Sequence, residues 1–172
     1  MTSAHDCYGP ISLRSNHPAA RRMDVASFLT PKSEVVWVSA SGTVEQALER
    51  MKPNGFAAVP ILDDEGGYVG TLTTSDLMWF LLQAGNGWQE RARTTSLLVV
   101  PRRFDAVAVH IDTSVAALVA RAIEQSFVPV VDERDVFVGI VRRRPVIEHC
   151  ARLSALAGPD LKVFARGTTK AL

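Results

Sequence analysis

Two short polar clusters carry most of the chemistry that this sequence could do. Thr73-Thr74-Ser75-Asp76 stands between the apolar runs Tyr68 to Leu72 and Leu77 to Leu82. Where a strand gives way to a helix, hydroxyls and free backbone N–H groups converge at the positive end of the helix dipole, and a phosphate is stabilised there. Asp76 adds a carboxylate able to accept both hydroxyls of a ribose. The same four residues also make a plain N-cap, which needs no ligand. The second cluster is Arg142-Arg143-Arg144, followed by Pro145. Three permanently charged, planar donors suit phosphate oxygens. Alternation along an extended segment sends Arg142 and Arg144 to one side and Arg143 to the other, so the expectation is that not all three face one ligand.

Other chemistries find little support. His5, His17, His110 and His149 have neither metal nor triad spacing, and no H-E-x-x-H, P-loop or nucleophile-elbow pattern occurs. Cys7 and Cys150 lie far apart, which suits neither a disulfide framework nor a zinc site. Asp63-Asp64-Glu65 reads as a solvated turn, since nothing nearby supplies the remaining oxygens of a cation site. The reading therefore assigns no catalytic residue, no metal and no cofactor. The 172 residues hold 19 Lys and Arg against 18 Asp and Glu, a balance that disfavours a nucleic-acid coat or an anionic membrane surface as partner. The balance hides an asymmetry, because residues 1–92 sum to −3 and residues 93–172 to +4. Apolar runs such as Leu77 to Leu82 fall far short of the roughly 20 residues that span a bilayer. With no apolar h-region between Met1 and Arg22, a cytoplasmic location is expected.

The elements that must position the two clusters come from an internal repeat. Val59-Pro60-Ile61-Leu62-Asp63 recurs as Val128-Pro129-Val130-Val131-Asp132, and Tyr68-Val69-Gly70 as Phe137-Val138-Gly139. Upstream, Glu34-x-Val36-x-Val38 is echoed by Asp105-x-Val107-x-Val109, an alternation that predicts a half-buried strand in each unit. Val44, Ala47, Leu48 and Met51 then fall on one helical face behind a Thr43/Gln46 capping box, and Val115, Leu118, Val119 and Ala122 repeat that spacing after Ser114. A hairpin follows, turning at Asp63 to Gly67, and then a closing helix, introduced by Thr74-Ser75-Asp76 in the first unit and by Pro145 at its first position in the second. The fold class expected is α+β, with two pseudo-symmetric β-α-β-β-α repeats. Units of about 60 residues bury too little alone, so the two should pack together. The boundaries expected are a tail at 1–22, repeats at 24–84 and 93–152, a glycine-bearing linker at 85–92 and an extension at 153–172. Trp79 to Leu82 is too broadly apolar for one amphipathic face, so part of it should pack on the second repeat or on a second chain.

On these residues the chain resembles the CBS domain family, arranged as a tandem pair. The most specific elements are Val59 to Asp63 and the G-x-h-T-x-x-D segment from Gly70 to Asp76. The resemblance implies a regulatory, non-enzymatic role, with adenine nucleotides (AMP, ADP or ATP) in clefts between the repeats. It implies a purine slot between Val36 and the segment Ala57-Ala58-Val59-Pro60, and contacts from Thr73, Thr74, Ser75 and Asp76. The competent site is expected around Thr73 and Asp76, with Arg142 to Arg144 adding phosphate contacts at the facing cleft, where Pro145 replaces the ribose carboxylate. At this length the expectation is that the regulated effector is another protein and that the chain is a homodimer. A second resemblance, to stand-alone cyclic-di-AMP-binding CBS-pair proteins, rests on Arg143 and Arg144. Glu34 departs from that subgroup, where a lysine is expected, and Asp76 points back to a mononucleotide. A third possibility is a ligand-free scaffold for protein contacts. Nucleic-acid binding through the arginine run is disfavoured because no aromatic platform is interleaved with it.

Overall fold

The computed structural model describes residues 24–156. The expected tail at 1–22 and most of the C-terminal extension lie outside the described residues. Seven strands and five α-helices alternate in chain order among those residues: β1 Leu29–Pro31, β2 Val38–Ser39, α1 Val44–Met51, β3 Ala58–Leu62, β4 Tyr68–Thr73, α2 Thr74–Leu82, α3 Trp88–Thr94, β5 Val109–His110, α4 Val115–Glu124, β6 Phe127–Val131, β7 Phe137–Arg142 and α5 Arg143–Leu156. They build a mixed α/β fold with two sheets, ordered β2-β3-β4 and β1-β7-β6-β5.

The repeat is visible in the registers. β2 runs parallel to β3 and β5 parallel to β6, with Val38 opposite Ile61 and Val109 opposite Val130. The antiparallel hairpins place Ile61 opposite Gly70 and Val130 opposite Gly139, and each ladder shifts register one residue later. Both turns are made the same way. Asp63 Oδ1 accepts from the N–H groups of Glu65 and Gly67, and Asp132 Oδ1 from those of Arg134 and Val136, so the acidic turn folds on its own backbone as expected of a solvated hairpin. The Thr43/Gln46 capping box closes α1 in both directions, and Val44, Ala47 and Met51 are buried beneath it.

Three features depart from the sequence expectation. The strands expected around Val36 and Val107 shrink to Val38–Ser39 and Val109–His110: residues Lys32–Glu34 form a 3₁₀ turn, and the backbone joins β3 only from Val38 and β6 only from Val109 onward. Pro145 stands third in α5 rather than first. It is still within the first turn, where a missing N–H breaks no intrahelical bond. The glycine-bearing connection at 85–92 is itself ordered, as a 3₁₀ turn at Gly85–Gly87 leading into α3.

The flanks of the repeats also cross over. β1 opens the first repeat but pairs antiparallel with β7 of the second, and Val25, Phe28 and Leu29 pack in the second repeat's core. Reciprocally Ala92, Leu97 and Val100 pack in the first repeat's core, and Ser96 bridges to Thr43. The physical reason is the open edge of β7, whose N–H and C=O groups need partners. Close approach of β1 fixes Gly139, since a Cβ there would collide with the Thr30 carbonyl oxygen. Between the repeats lies a third core of Leu62, Phe127, Phe137 and Ile140, where the Tyr68 and Phe137 rings stack at 6.3 Å. This core joins the repeats into one body, as the small size of each unit requires.

Candidate functional site

Each repeat ends with a strand running directly into a helix, and the two junctions have different side chains. In the second repeat β7 ends at Arg142 and α5 begins at Arg143. The change from strand to helix at this point cancels the alternation expected of an extended segment, so Arg142, Arg143 and Arg144 all line one cleft of about 420 Å³. That volume is within the range of small-molecule sites. The opposite wall comes from the first repeat: Val36, Phe56, Ala58, Val59 and Pro60, with Ser126, Phe127 and Ile140 closing the floor and side. Ala58 is small and half-buried while Val59 and Pro60 are buried, which leaves a narrow apolar slot beside a cationic rim.

Charge at the rim is only partly committed. Arg144 Nε donates to Glu148 Oε1 at 2.8 Å, one helical turn on. That hydrogen bond, with the Coulombic pull of the same carboxylate, raises the Arg144 pKa, so its charge is permanent. Arg142 and Arg143 make no ion pair among the described residues. Glu34, exposed on the 3₁₀ turn, also lines the cleft and lowers its positive potential.

The first repeat's junction is built differently. Thr73 caps α2, its Oγ1 accepting from Asp76 N–H at 3.1 Å and donating to Asp76 Oδ2 at 2.6 Å, while Thr73 N–H donates to the same oxygen. The other oxygen, Asp76 Oδ1, accepts from the Arg103 N–H at 3.2 Å. Asp76 is 3% exposed. Its carboxylate is thus held by protein donors on both sides. Thr74 donates through N–H and Oγ1 to the Ala57 carbonyl, and both residues line a larger, mostly apolar groove with Leu48, Met51, Leu81 and Trp88. Ser75 is exposed on the helical face.

The residues expected to make one site are therefore divided between two places. Val36, Ala58, Val59 and Pro60 face the arginines, whereas Thr73, Thr74, Ser75, Asp76 and Ala57 do not line that cleft. The sequence reading joined the purine slot to the junction of its own repeat; packing brings that slot against the junction of the other. Phe56, Ser126, Phe127 and Ile140 were not singled out as site residues. Phe127 and Ile140 could have been found by moving the slot one repeat along, to the positions matching Ala58 and Thr71.

The related position in the second repeat is closed by polar contacts. Gln125 is 2% exposed and binds both main-chain groups of Val107, accepting from its N–H and donating to its carbonyl. The Tyr68 hydroxyl donates to the Ala106 carbonyl at 2.8 Å and meets the Thr71 hydroxyl at 2.8 Å. Desolvation there is the main cause that pushes the Tyr68 pKa up to about 12. His110 lies at the end of β5, 3.8 Å from Asp135, and His149 packs edge-on against Phe28. Among the described residues no cluster of His, Cys, Asp and Glu could hold a metal ion, and no helix is long and apolar enough to cross a membrane.

Comparison with known proteins agrees with this architecture. The CBS domain matches twice, over residues 25–83 and 99–149. A CBS domain-containing protein from Bacillus anthracis superposes with a TM-score of 0.68 at 22% identity, covering 76% of this chain and 94% of that one. The Listeria monocytogenes CbpB protein, solved in complex with c-di-AMP, gives 0.64 at 25% identity over 77% of this chain and 98% of its own. CBSX2 from Arabidopsis thaliana, solved in complex with AMP, gives 0.60 at 21% identity, over 76% and 98%. The meiotically up-regulated gene 70 protein of Schizosaccharomyces pombe is 29% identical over 124 residues, 71% of this chain, and the chain spans 16% of its length. Two matched domains, their paired sheets and the cleft between them make this chain a member of the CBS domain family, carrying two copies as a tandem pair.

Proposed function

We propose that this chain is a non-enzymatic sensor that binds one adenine nucleotide in the arginine cleft and passes its occupancy to a separate partner protein. The observation that carries the reading is the convergence of Arg142, Arg143 and Arg144 from one repeat with the small-residue slot Val36, Ala58, Val59 and Pro60 from the other. The phosphate meets guanidinium donors at the rim, and the flat base enters the slot, where main-chain groups near Val36 offer hydrogen bonds to its edge. Pro145 stands where the first repeat has Asp76, so the ribose is not gripped by a carboxylate on α5. Anion recognition then dominates, and ligands with more phosphate charge bind more tightly. Because the cleft wall draws on both repeats, a bound ligand favours the arrangement in which they are clamped together.

Two neighbours in this fold are solved with c-di-AMP and with AMP, which supports a nucleotide as the ligand class. The cyclic dinucleotide is the second reading, favoured by the two uncommitted guanidiniums of Arg142 and Arg143. A thermal scan against AMP, ADP, ATP and cyclic-di-AMP tests both. At about 100-fold excess over the dissociation constant, binding stabilises the fold by roughly 2.7 kcal/mol, which is readily seen as a raised Tm. A flat response to all four removes the sensor reading and leaves a ligand-free interaction module.

A further inference from the structure

We infer that the chain keeps its second cleft shut with its own residues, so that one nucleotide is bound per chain, and that Gln125 decides which cleft is open. This rests on the nucleotide-binding reading of the arginine cleft and adds its stoichiometry and the residue that sets it. The internal repeat relates Gln125 to Phe56 and Val107 to Val36. In the open cleft Phe56 stands beside Val36, with no polar atom to offer it. In the closed one the Gln125 carboxamide takes both the N–H and the C=O of Val107. A carboxamide presents an acceptor next to an N–H donor, the same pair that the edge of a nucleobase presents. Gln125 therefore supplies from within what a base would bring from outside.

The segment it latches is tied down along its length. Asp76 Oδ1 holds the Arg103 N–H, the Tyr68 hydroxyl holds the Ala106 carbonyl, and Asp105 Oδ1 accepts from the Thr71 N–H at 3.4 Å. Asp105 is paired in turn with Arg102 at 3.0 Å. Tyr68, Thr71 and Asp76 belong to β4 and α2, the wall that matches Phe137, Ile140 and Pro145 in the second repeat. On that wall the Tyr68 hydroxyl, the Thr71 N–H and Asp76 Oδ1 each already have a partner from residues 102–107.

Calorimetric titration of the full chain with AMP, and separately with cyclic-di-AMP, reads the stoichiometry directly. One site per chain is expected for the native sequence. Gln125→Ala frees the Val107 groups and adds a second, weaker site that survives Arg143→Glu. Phe56→Gln installs the latch in the open cleft and weakens binding at least tenfold beyond Phe56→Ala, which controls for lost packing and guards against a Gln125→Ala variant that fails to fold. Hydrogen exchange gives a ligand-free reading: the Val107 amide is protected in the native chain and loses protection in Gln125→Ala, whereas the Val36 amide exchanges freely. Two sites in the native chain, or a Val107 amide as fast as that of Val36, overturn the inference. If the native chain binds neither nucleotide but the exchange asymmetry holds, the latch stands as a structural device and it is the nucleotide reading that fails.

Discussion

The junction at Thr73–Asp76 and the junction at Arg142–Pro145 occupy matching places in the two repeats and do opposite things with their polar groups. The first turns them inward. Thr73, Asp76 and the Arg103 N–H form a closed set at the start of a helix, and Asp76 is 3% exposed. The second turns them outward, with three arginines around a cleft and one of them paired. A buried carboxylate with all its donors supplied by protein contributes stability, because removing it strands those donors. An exposed guanidinium without a partner contributes little to stability and is free to meet a ligand. One junction is thus a structural lock and, in the reading proposed above, the other is a receptor, whose three arginines contribute to the excess of positive charge in residues 93–172.

Substitutions can break this division of labour. The largest effect is expected from Arg142→Glu combined with Arg143→Glu. Each charged hydrogen bond is worth about 1.5–3 kcal/mol, so nucleotide affinity should fall at least 100-fold while the melting temperature hardly moves. Asp76→Ala should do the reverse. Loss of a buried capping box strands the N–H groups of Thr73 and Arg103, costing about 2 kcal/mol in denaturant unfolding, with nucleotide affinity at the arginine cleft unchanged. A fall in affinity on Asp76→Ala that matches the arginine pair would return the site to the first junction.

Tyr68, in the wall of the locked cleft, gives a pH signature. Its folded pKa is raised to about 12 from 10.0, so the folded state keeps a proton that the unfolded state gives up. Stability from this residue is whole below pH 10 and is lost as pH rises toward 12, by an amount on the order of 2 kcal/mol. Unfolding curves of Tyr68→Phe should lack that alkaline loss when set against the native chain over the same pH range. The smallest effect is expected from Glu148→Gln, which releases Arg144 at the open junction. Stability should hardly change, and nucleotide affinity should rise slightly as Arg144 loses its competitor. A large loss of stability there would mean that the receptor junction is a lock as well.

Much of the fold was legible because its signals are local. The Thr43/Gln46 box, the helical faces of α1 and α4, and the two Asp-led hairpin turns follow from spacing and side-chain chemistry within a few residues. The pairing of β1 with β7 was not legible, since Leu29-Thr30-Pro31 carries no local mark of a partner more than a hundred residues away. The strand expected at Val36 failed for a related reason. Its alternation is real, but burial of Val36 came from lining a cleft and packing on the first repeat's core rather than from a full ladder. The site was half legible. Its residue types suit the phosphate and flat ring of the reading proposed above, yet the sequence paired the slot with Thr73 to Asp76, whereas the packing sets it against Arg142 to Arg144. The polar Gln125 at the position of Phe56 was a further sign, beside Pro145 at the position of Asp76, that the two clefts differ.

Amide chemical-shift mapping of the full chain separates a site at the arginine cleft from one at the first junction. On addition of AMP or cyclic-di-AMP, shifts are expected at Val36, Ala58, Val59 and Arg142 to Arg144, with residues 102–107 and Thr73 to Asp76 unmoved. Shifts centred on Thr73 to Asp76 and on the Arg103 to Val107 segment would contradict a site at the arginine cleft.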